Sequence, residues 1–242
     1  MNFSDLPPID PANFSWATLA AIVIAYIAWK GWTRGKDKRY GVIFWSALLG
    51  AYVGSKLIYI VAEGGADWVA PDRWQRLAYG KSILGGILGG YITVRWAKHI
   101  LRFDPPTGDV FAIIAPAGIM IGRIGCIIKG CCYGRACEAA WYALQDSAGQ
   151  PRLPVVPLEM AFNGVMLVVL IALRRTWGAT GQLFHVYMIA YGLYRFAAEF
   201  MRERTVLCGG LDAYQVTALC VLALGAYRYA ARARELQSAK AA

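Results

Sequence analysis

GIMIGRIGCIIKGCCYGRACE, residues 118–138, is the stretch on which the reading of this chain turns. Arg123 lies in an apolar run with no acidic residue for a dozen positions on either side. A lone cation in hydrocarbon is costly unless an anion meets it, so Arg123 is expected to face a ligand or an internal partner. Gly118, Gly122 and Gly125 leave bare patches on the same helix, where a neighbouring helix or a lipid headgroup can approach the backbone. At Gly130 the run breaks into GCCYGR, too rich in glycine and polar groups to continue across a bilayer. The stretch reads as a helix end carrying a cationic, thiol-rich loop.

Around it, 58% of the 242 residues are hydrophobic and 17% are charged. A soluble fold would lack the polar surface to cover that composition, so the class expected is an all-α integral membrane protein. Several apolar segments joined by short loops leave no room for an ordinary soluble domain, and residues 1–242 are expected to form a single polytopic membrane domain. The net charge of +10 sits mostly in loops between apolar runs, where topology determinants sit. Anionic lipid is therefore the expected partner of that charge, and nucleic acid is not. The amino end, MNFSDLPPIDPANF, has no basic region of the kind that opens a cleavable signal peptide and reads as a periplasmic lead-in.

Helices are expected at 16–32, 41–62, from about 82 to 102, 109–128, 158–173, 181–201 and 213–229. Ser46, Gly50 and Gly54 form a small-residue face on the second, and the paired glycines Gly85-Gly86 and Gly89-Gly90 on the third leave space for close packing or for a ligand. Residues 63–80 read as an external mixed-charge loop with interfacial tryptophans, and 129–156 as a long external segment. Tyr191, Arg195, Glu199 and Arg202 recur at spacings that place one polar stripe down the sixth helix. Seven spans, amino end periplasmic and carboxyl end cytoplasmic, satisfy the bias of basic residues toward the inside.

Lys56, Arg123 and Arg195 are cations within helices, and their convergence on a phosphate would offset desolvation through charge-assisted hydrogen bonds. Alternatively Arg195 pairs with Glu199 one turn away and Lys56 reaches an interface. Glu199 is the acid/base candidate by position, or a fixed partner for an arginine. Glu159 follows Pro157 in the first turn of a helix, where an acid also serves the helix end. Cys131, Cys132, Cys137 and Cys208 fall in loops read as external, where they, with Cys126 on the preceding helix, are candidates for disulfides or, near Arg123 and Arg135, for a nucleophilic thiolate. A zinc site would have to be all thiolate, and neither a metal nor a cofactor is expected. His99 and His185 read as interfacial residues.

Taken together these residues resemble the prolipoprotein diacylglyceryl transferase family of bacterial inner-membrane proteins. Gly122-Arg123-Ile124-Gly125 and Gly134-Arg135 are similar to the start and end of its signature, and GKSILGG, with Lys81, Ser82, Gly85 and Gly86, to the start of its third helix. Arg152, Pro154 and Glu159 keep the spacing that leads into its fifth helix. The run from Tyr191 through Arg195 and Glu199 to Arg202 resembles its Arg-Phe and Glu-Phe motif, and Gln215 sits where a Gly-Gln pair opens the last helix. The resemblance implies seven helices with the amino end outside. It also implies transfer of the diacylglyceryl group of phosphatidylglycerol to the lipobox cysteine thiol of a lipoprotein precursor, with release of glycerol phosphate. It points to Arg123, Arg195 and Glu199 as catalytic, and to Ser82, Gly85, Gly86, Gly122, Gly125, Gly134, Arg135, Glu159, Tyr191, Arg202 and Gln215 as lining the lipid site, which Lys56 joins as a cation within its own helix. Three departures stand out: Leu84 replaces a functional family histidine, Cys126 and Cys131 stand where the signature has Asn and Glu, and Trp16-Ala17-Thr18 replaces Trp-Tyr-Gly. The family lipid site with a changed acceptor chemistry is the expectation, whether the acceptor is a lipobox thiol or another periplasmic group. A lipid-binding factor without turnover, or a thiol enzyme built on Cys131-Cys132, is the alternative.

Overall fold

The computed structural model describes residues 11–67, 73–146, 148–177, 180–203 and 210–241. In chain order they form α1 (Pro11–Thr33), α2 (Arg39–Asp67), α3 (Arg73–Tyr79), α4 (Ile83–Ile100), α5 (Gly108–Lys129), β1 (Leu144–Gln145), β2 (Pro151–Arg152), α6 (Val155–Trp177), α7 (Leu183–Glu199) and α8 (Ala213–Ala241). The fold is helical, as composition requires. Among the described residues, three helices are long and apolar enough to cross a bilayer: α2 over Arg39–Glu63, α5 and α6. Leu49, Val61, Val165 and Val168 on these helices are 62–68% exposed, a surface suited to hydrocarbon rather than water.

The chain divides into two compact units, the first from Met1–Trp32, Gly108–Leu183 and Ala197–Arg204, the second from Thr33–Thr107, Phe184–Phe196 and Thr205–Ala242. In the first, α5 packs on α6, and the buried ring of Trp29 from α1 lies 4.8 Å from that of Phe111 on α5. Asp109, in the first turn of α5, accepts the backbone N–H groups of Gly181 at 2.8 Å and Leu183 at 3.1 Å. It thereby satisfies the start of α7, whose own cap residue Gln182 makes no side-chain capping bond. Pro116 sits inside α5, where it removes one backbone bond to the preceding turn, a loss that spanning helices tolerate.

In the second unit α2 and α4 run antiparallel in close contact. A Cβ at Gly54 or Gly85 would overlap the other's backbone carbonyl, and a Cβ at Gly89 that of Gly50. Thr93 Oγ1 donates to Ser46 O at 2.9 Å on the same seam. The small-residue face expected on α2 is thus real, and the double glycines of α4 serve backbone packing. Helix α8 opens with a reciprocal cap. Gln215 N donates to Asp212 Oδ1 at 2.7 Å while Asp212 N donates to Gln215 Oε1 at 3.2 Å, which satisfies two orphan donors at once. It then packs on α7, where Gly192 meets Ala218 and Leu222.

Several boundaries differ from expectation, among them those of α1, which begins at Pro11 rather than 16, and of α6, which spans Val155–Trp177 rather than 158–173. Residues 63–80 contain the end of α2 and the short α3, because Arg73–Tyr79 has no helix breaker until Gly80. Helix α8 runs past residue 229 to Ala241, since its alanine-rich tail is a strong helix former and the Arg232–Glu235 pair at 2.8 Å supports it. Helix α7 ends at Glu199, so Arg202 lies three positions beyond the helix and the expected polar stripe stops at Glu199.

Candidate functional site

The first unit gathers the chemistry on three segments. Arg123 on α5 is 7% exposed and Glu159 on α6 is fully buried, and Arg123 Nη2 lies 2.5 Å from Glu159 Oε2. Arg202, just past α7, brings its Nη2 to 3.8 Å from the same oxygen. Two guanidinium groups therefore share one buried carboxylate. The anion that meets Arg123 comes from the neighbouring helix, which is why no acid is visible near it in sequence. Glu159, read in sequence either as a helix-end acid or as a site residue, is the centre of an ion-pair array. Its backbone carbonyl accepts from Asn163 Nδ2 at 2.8 Å, and Asn163 is itself fully buried. Glu199, 3% exposed, closes α7 on the same unit, and its carbonyl accepts the N–H of Arg202 at 3.1 Å.

The loop after α5 is tied to this array by its backbone. Gly134 N donates to Leu153 O, Leu153 N to Arg135 O, Arg135 N to Met201 O and Cys137 N to Pro151 O, at 2.9–3.1 Å. A side chain at Gly134 would overlap Leu153 and the Met201 carbonyl, so glycine is required for that approach. The seam places Met201, and with it Arg202. The Arg135 side chain is exposed. Within the loop, Asp146 Oδ1 accepts the N–H groups of Ala148 and Gln150, its Oδ2 pairs with Arg152 Nε at 2.9 Å, and Arg152 also pairs with Glu203. The Gln150 N–H first, and then the Arg152 guanidinium, hold the Asp146 carboxyl below the usual range.

Helix α5 ends in a Schellman cap. Cys131 N donates to Cys126 O and Gly130 N to Ile127 O, both at 3.1 Å, with Gly130 at φ +61°. That cap brings the residue after Gly130 against the last turn of the helix, so the Cys131 thiol meets the Cys126 thiol. Cys132 follows at φ +65°, a conformation unusual outside glycine. The Sγ atoms of Cys126, Cys131 and Cys132 all lie within 4.8 Å of one another, and Arg123 Nη1 donates to Cys126 Sγ at 3.7 Å. Hydrogen bonding from Cys126 and then Cys131 holds the Cys132 thiol well below its ordinary range, and Arg123 and Arg202 act in the same direction. Cys131 is pushed up by its hydrogen bonds with Cys126 and Cys132. A cavity of about 30 Å³ borders Cys126 and Cys131 and is otherwise lined mainly by apolar groups, among them Leu153, Val155 and Pro157.

Other expected site residues take structural places. Gly122, like Gly118, has nothing within 4 Å of a Cβ built on it, so the space beside each is open. Gly125 is buried beside Cys126 on α5. Cys137 is a free thiol outside the cluster, and Cys208 lies outside the described residues. In the second unit, Lys56 donates to the carbonyls of Leu77 and Ala78, at 2.7 and 2.5 Å, which closes the end of α3. Ser82 caps α4, accepting from Gly85 N at 3.3 Å. A Cβ at Gly85 would overlap the α2 backbone, and one at Gly86 would lie 3.5 Å from Ala51 O, so both positions face α2. Gln215 is committed to the α8 cap. Tyr191 is fully buried between the rings of Tyr187 and Tyr194. Arg195 is 6% exposed, with its guanidinium 6.0 Å from the Tyr214 ring. Leu84 is buried and has no proton to exchange. His185 is buried rather than interfacial, 3.2 Å from the Tyr91 hydroxyl, while His99 is exposed as expected. The sequence reading missed Asn163 and the Asp146 clasp; the Asp-Ser-Ala-Gly turn at 146–149 was the available signal for the second.

A family model described as prolipoprotein diacylglyceryl transferase matches residues 12–231. The chain is 28% identical to a phosphatidylglycerol–prolipoprotein diacylglyceryl transferase of Dehalococcoides mccartyi, over 96% of each chain. It is 31% identical to the protein of that name from Geobacter sulfurreducens, over 81% of this chain and 84% of the relative. With that of Cupriavidus necator the identity is 33% over 74% and 66%.

Proposed function

The chain belongs to the prolipoprotein diacylglyceryl transferase family, and from that premise we propose that it moves the diacylglyceryl group of phosphatidylglycerol onto the cysteine thiol of a lipoprotein precursor. It works as a single polytopic domain of the bacterial inner membrane, spanning it seven times, with its amino end periplasmic and its carboxyl end cytoplasmic. The observation that carries the reading is the buried array in which Arg123 and Arg202 share the Glu159 carboxylate beside an apolar helix pair. Such an array is costly in hydrocarbon without a use. It holds two forked donors at set positions, the geometry that phosphate oxygens accept.

In the reaction the acceptor sulfur bonds to the glyceryl carbon as that carbon's bond to the phosphate oxygen breaks. Glycerol phosphate leaves with the electron pair of the broken bond, and the thiol proton is released. Negative charge grows on the departing phosphate, where Arg123 and Arg202 stabilise it, and Glu159 keeps both guanidinium groups oriented. Glu199, buried at the end of α7, is the acceptor for the thiol proton. Gly134 and Arg135 keep the loop that places Arg202. Arg195 enters on its motif and is tested by its own variant.

The test is mass spectrometry of a lipobox peptide incubated with the purified protein and phosphatidylglycerol. The expected result is a diacylglyceryl mass increment, with kcat/KM lowered about 100-fold or more in Arg123→Ala and lowered also in Arg195→Ala. No increment from folded protein that still binds phosphatidylglycerol would overturn the transfer reading.

A further inference from the structure

We propose that Cys126, Cys131 and Cys132 form a three-thiolate site for Zn²⁺ whose remaining coordination position takes the acceptor thiol, a role that rests on the transferase reading above. Zinc–sulfur bonds of about 2.3 Å in a tetrahedral site set sulfur–sulfur separations of roughly 3.8 Å. The Sγ atoms of Cys131 and Cys132 are 3.6 Å apart and all three lie within 4.8 Å, so shifts of about 1 Å or less complete the geometry. The placement is built into the backbone. The Schellman cap carries Cys131 onto Cys126, and the left-handed turn at Cys132 adds the third sulfur.

Two surroundings point to a ligand rather than to chance packing. Arg123 Nη1 donates to Cys126 Sγ at 3.7 Å, the kind of outer hydrogen bond that supports a thiolate ligand. The cavity of about 30 Å³ touches Cys126 and Cys131, room for a group the size of a thiol. Cys126, on the helix, joins the two adjacent loop thiols as the third ligand. Three protein ligands with one position open is the arrangement of a catalytic rather than a structural zinc.

The chemistry balances without oxidation or reduction. Binding releases the protons of the three cysteine thiols to solvent. The acceptor thiol then coordinates as thiolate and gives its proton to Glu199 or solvent. Its sulfur attacks the glyceryl carbon, the carbon–oxygen bond to phosphate breaks, and glycerol phosphate departs with that electron pair. The product thioether is a weaker ligand and leaves the metal. This supplies thiol activation in a chain that carries Leu84 where the resemblance calls for a histidine.

Protein purified in detergent under reducing conditions is analysed for bound zinc and copper, titrated with Co²⁺ by absorbance, and assayed for peptide diacylglycerylation, beside Cys131→Ser and the control Cys220→Ser. About one zinc per chain is expected, with an intense near-ultraviolet thiolate-to-cobalt band. Both should fall at least about tenfold in Cys131→Ser and persist in Cys220→Ser. A lipobox peptide should shift the visible cobalt bands, its cysteine-to-serine analogue should not, and metal removal should lower transfer until zinc is restored. If Cys131→Ser does not fold, Cys132→Ser takes its place. Zinc no higher than in a triple Cys→Ser variant, copper in its place, or transfer unaffected by metal removal would overturn the proposal and leave the transferase reading intact. Zinc with a peptide-responsive cobalt spectrum but no transfer would uphold the site and overturn that reading instead.

Discussion

Arg123 and Glu159 form a buried pair, and breaking such a pair leaves one charge in an apolar surround. Glu159→Gln should therefore cost about 3–5 kcal/mol, read as a lowered midpoint in thermal unfolding in detergent. Arg123→Leu with Glu159→Leu should recover only part of that loss, because Arg202 keeps its charge where the shared carboxylate was, and should abolish transfer. Asp146 gives a pH effect of known sign. Its pKa is depressed in the fold, so its contribution is present above the ordinary carboxylate value and is lost as pH falls through the lowered one. The protection factors of the Ala148 and Gln150 amides, exchange rates corrected for their intrinsic pH dependence, should fall on acidification through that window, and Asp146→Asn should show the lowered protection at all pH values. The cysteine cluster belongs to this scale too. In metal-free protein, an alkylating agent should modify the exposed Cys132 ahead of the buried Cys126.

Between helices the decisive quantity is the space beside a glycine. Gly89 is pressed against the α2 backbone, whereas a Cβ at Gly118 meets nothing within 4 Å. One methyl group should therefore act oppositely at the two sites. Gly89→Ala should destabilise by about 1–3 kcal/mol through overpacking, and Gly118→Ala should be neutral or stabilising by up to about 1 kcal/mol through helix propensity. Equal effects on unfolding would show that the α2–α4 seam is looser than its geometry. The cap of α8 is a second element-scale device, and Asp212→Ala should cost about 1 kcal/mol. That cap was legible as an Asp three residues before a Gln, yet the family motif drew attention to Gln215 as a substrate contact. Likewise the glycine pairs of α4 were visible, but sequence alone left packing and ligand space as equal readings.

For the whole molecule, the charge pattern predicts which loops face which compartment. Cysteines introduced at Lys36 and Trp141 should respond differently to a membrane-impermeant maleimide added to cells with a permeable outer membrane. Peptide mapping should find label at position 141 and none at 36, the reverse of which would invert the proposed topology. Composition and apolar run lengths determined the helical membrane class, because burying backbone in hydrocarbon leaves few alternatives. The arginine motifs likewise pointed to the family before any fold was in hand. What only the tertiary structure decided was pairing across long separations. Arg123 meets Glu159 from another helix, Asp109 caps α7, and Arg202 leaves the helix on which periodicity had placed it. Periodicity reports which face a residue occupies on its own helix, whereas a buried charge is satisfied by whatever group packing brings within reach, and that group carries no mark in the local sequence.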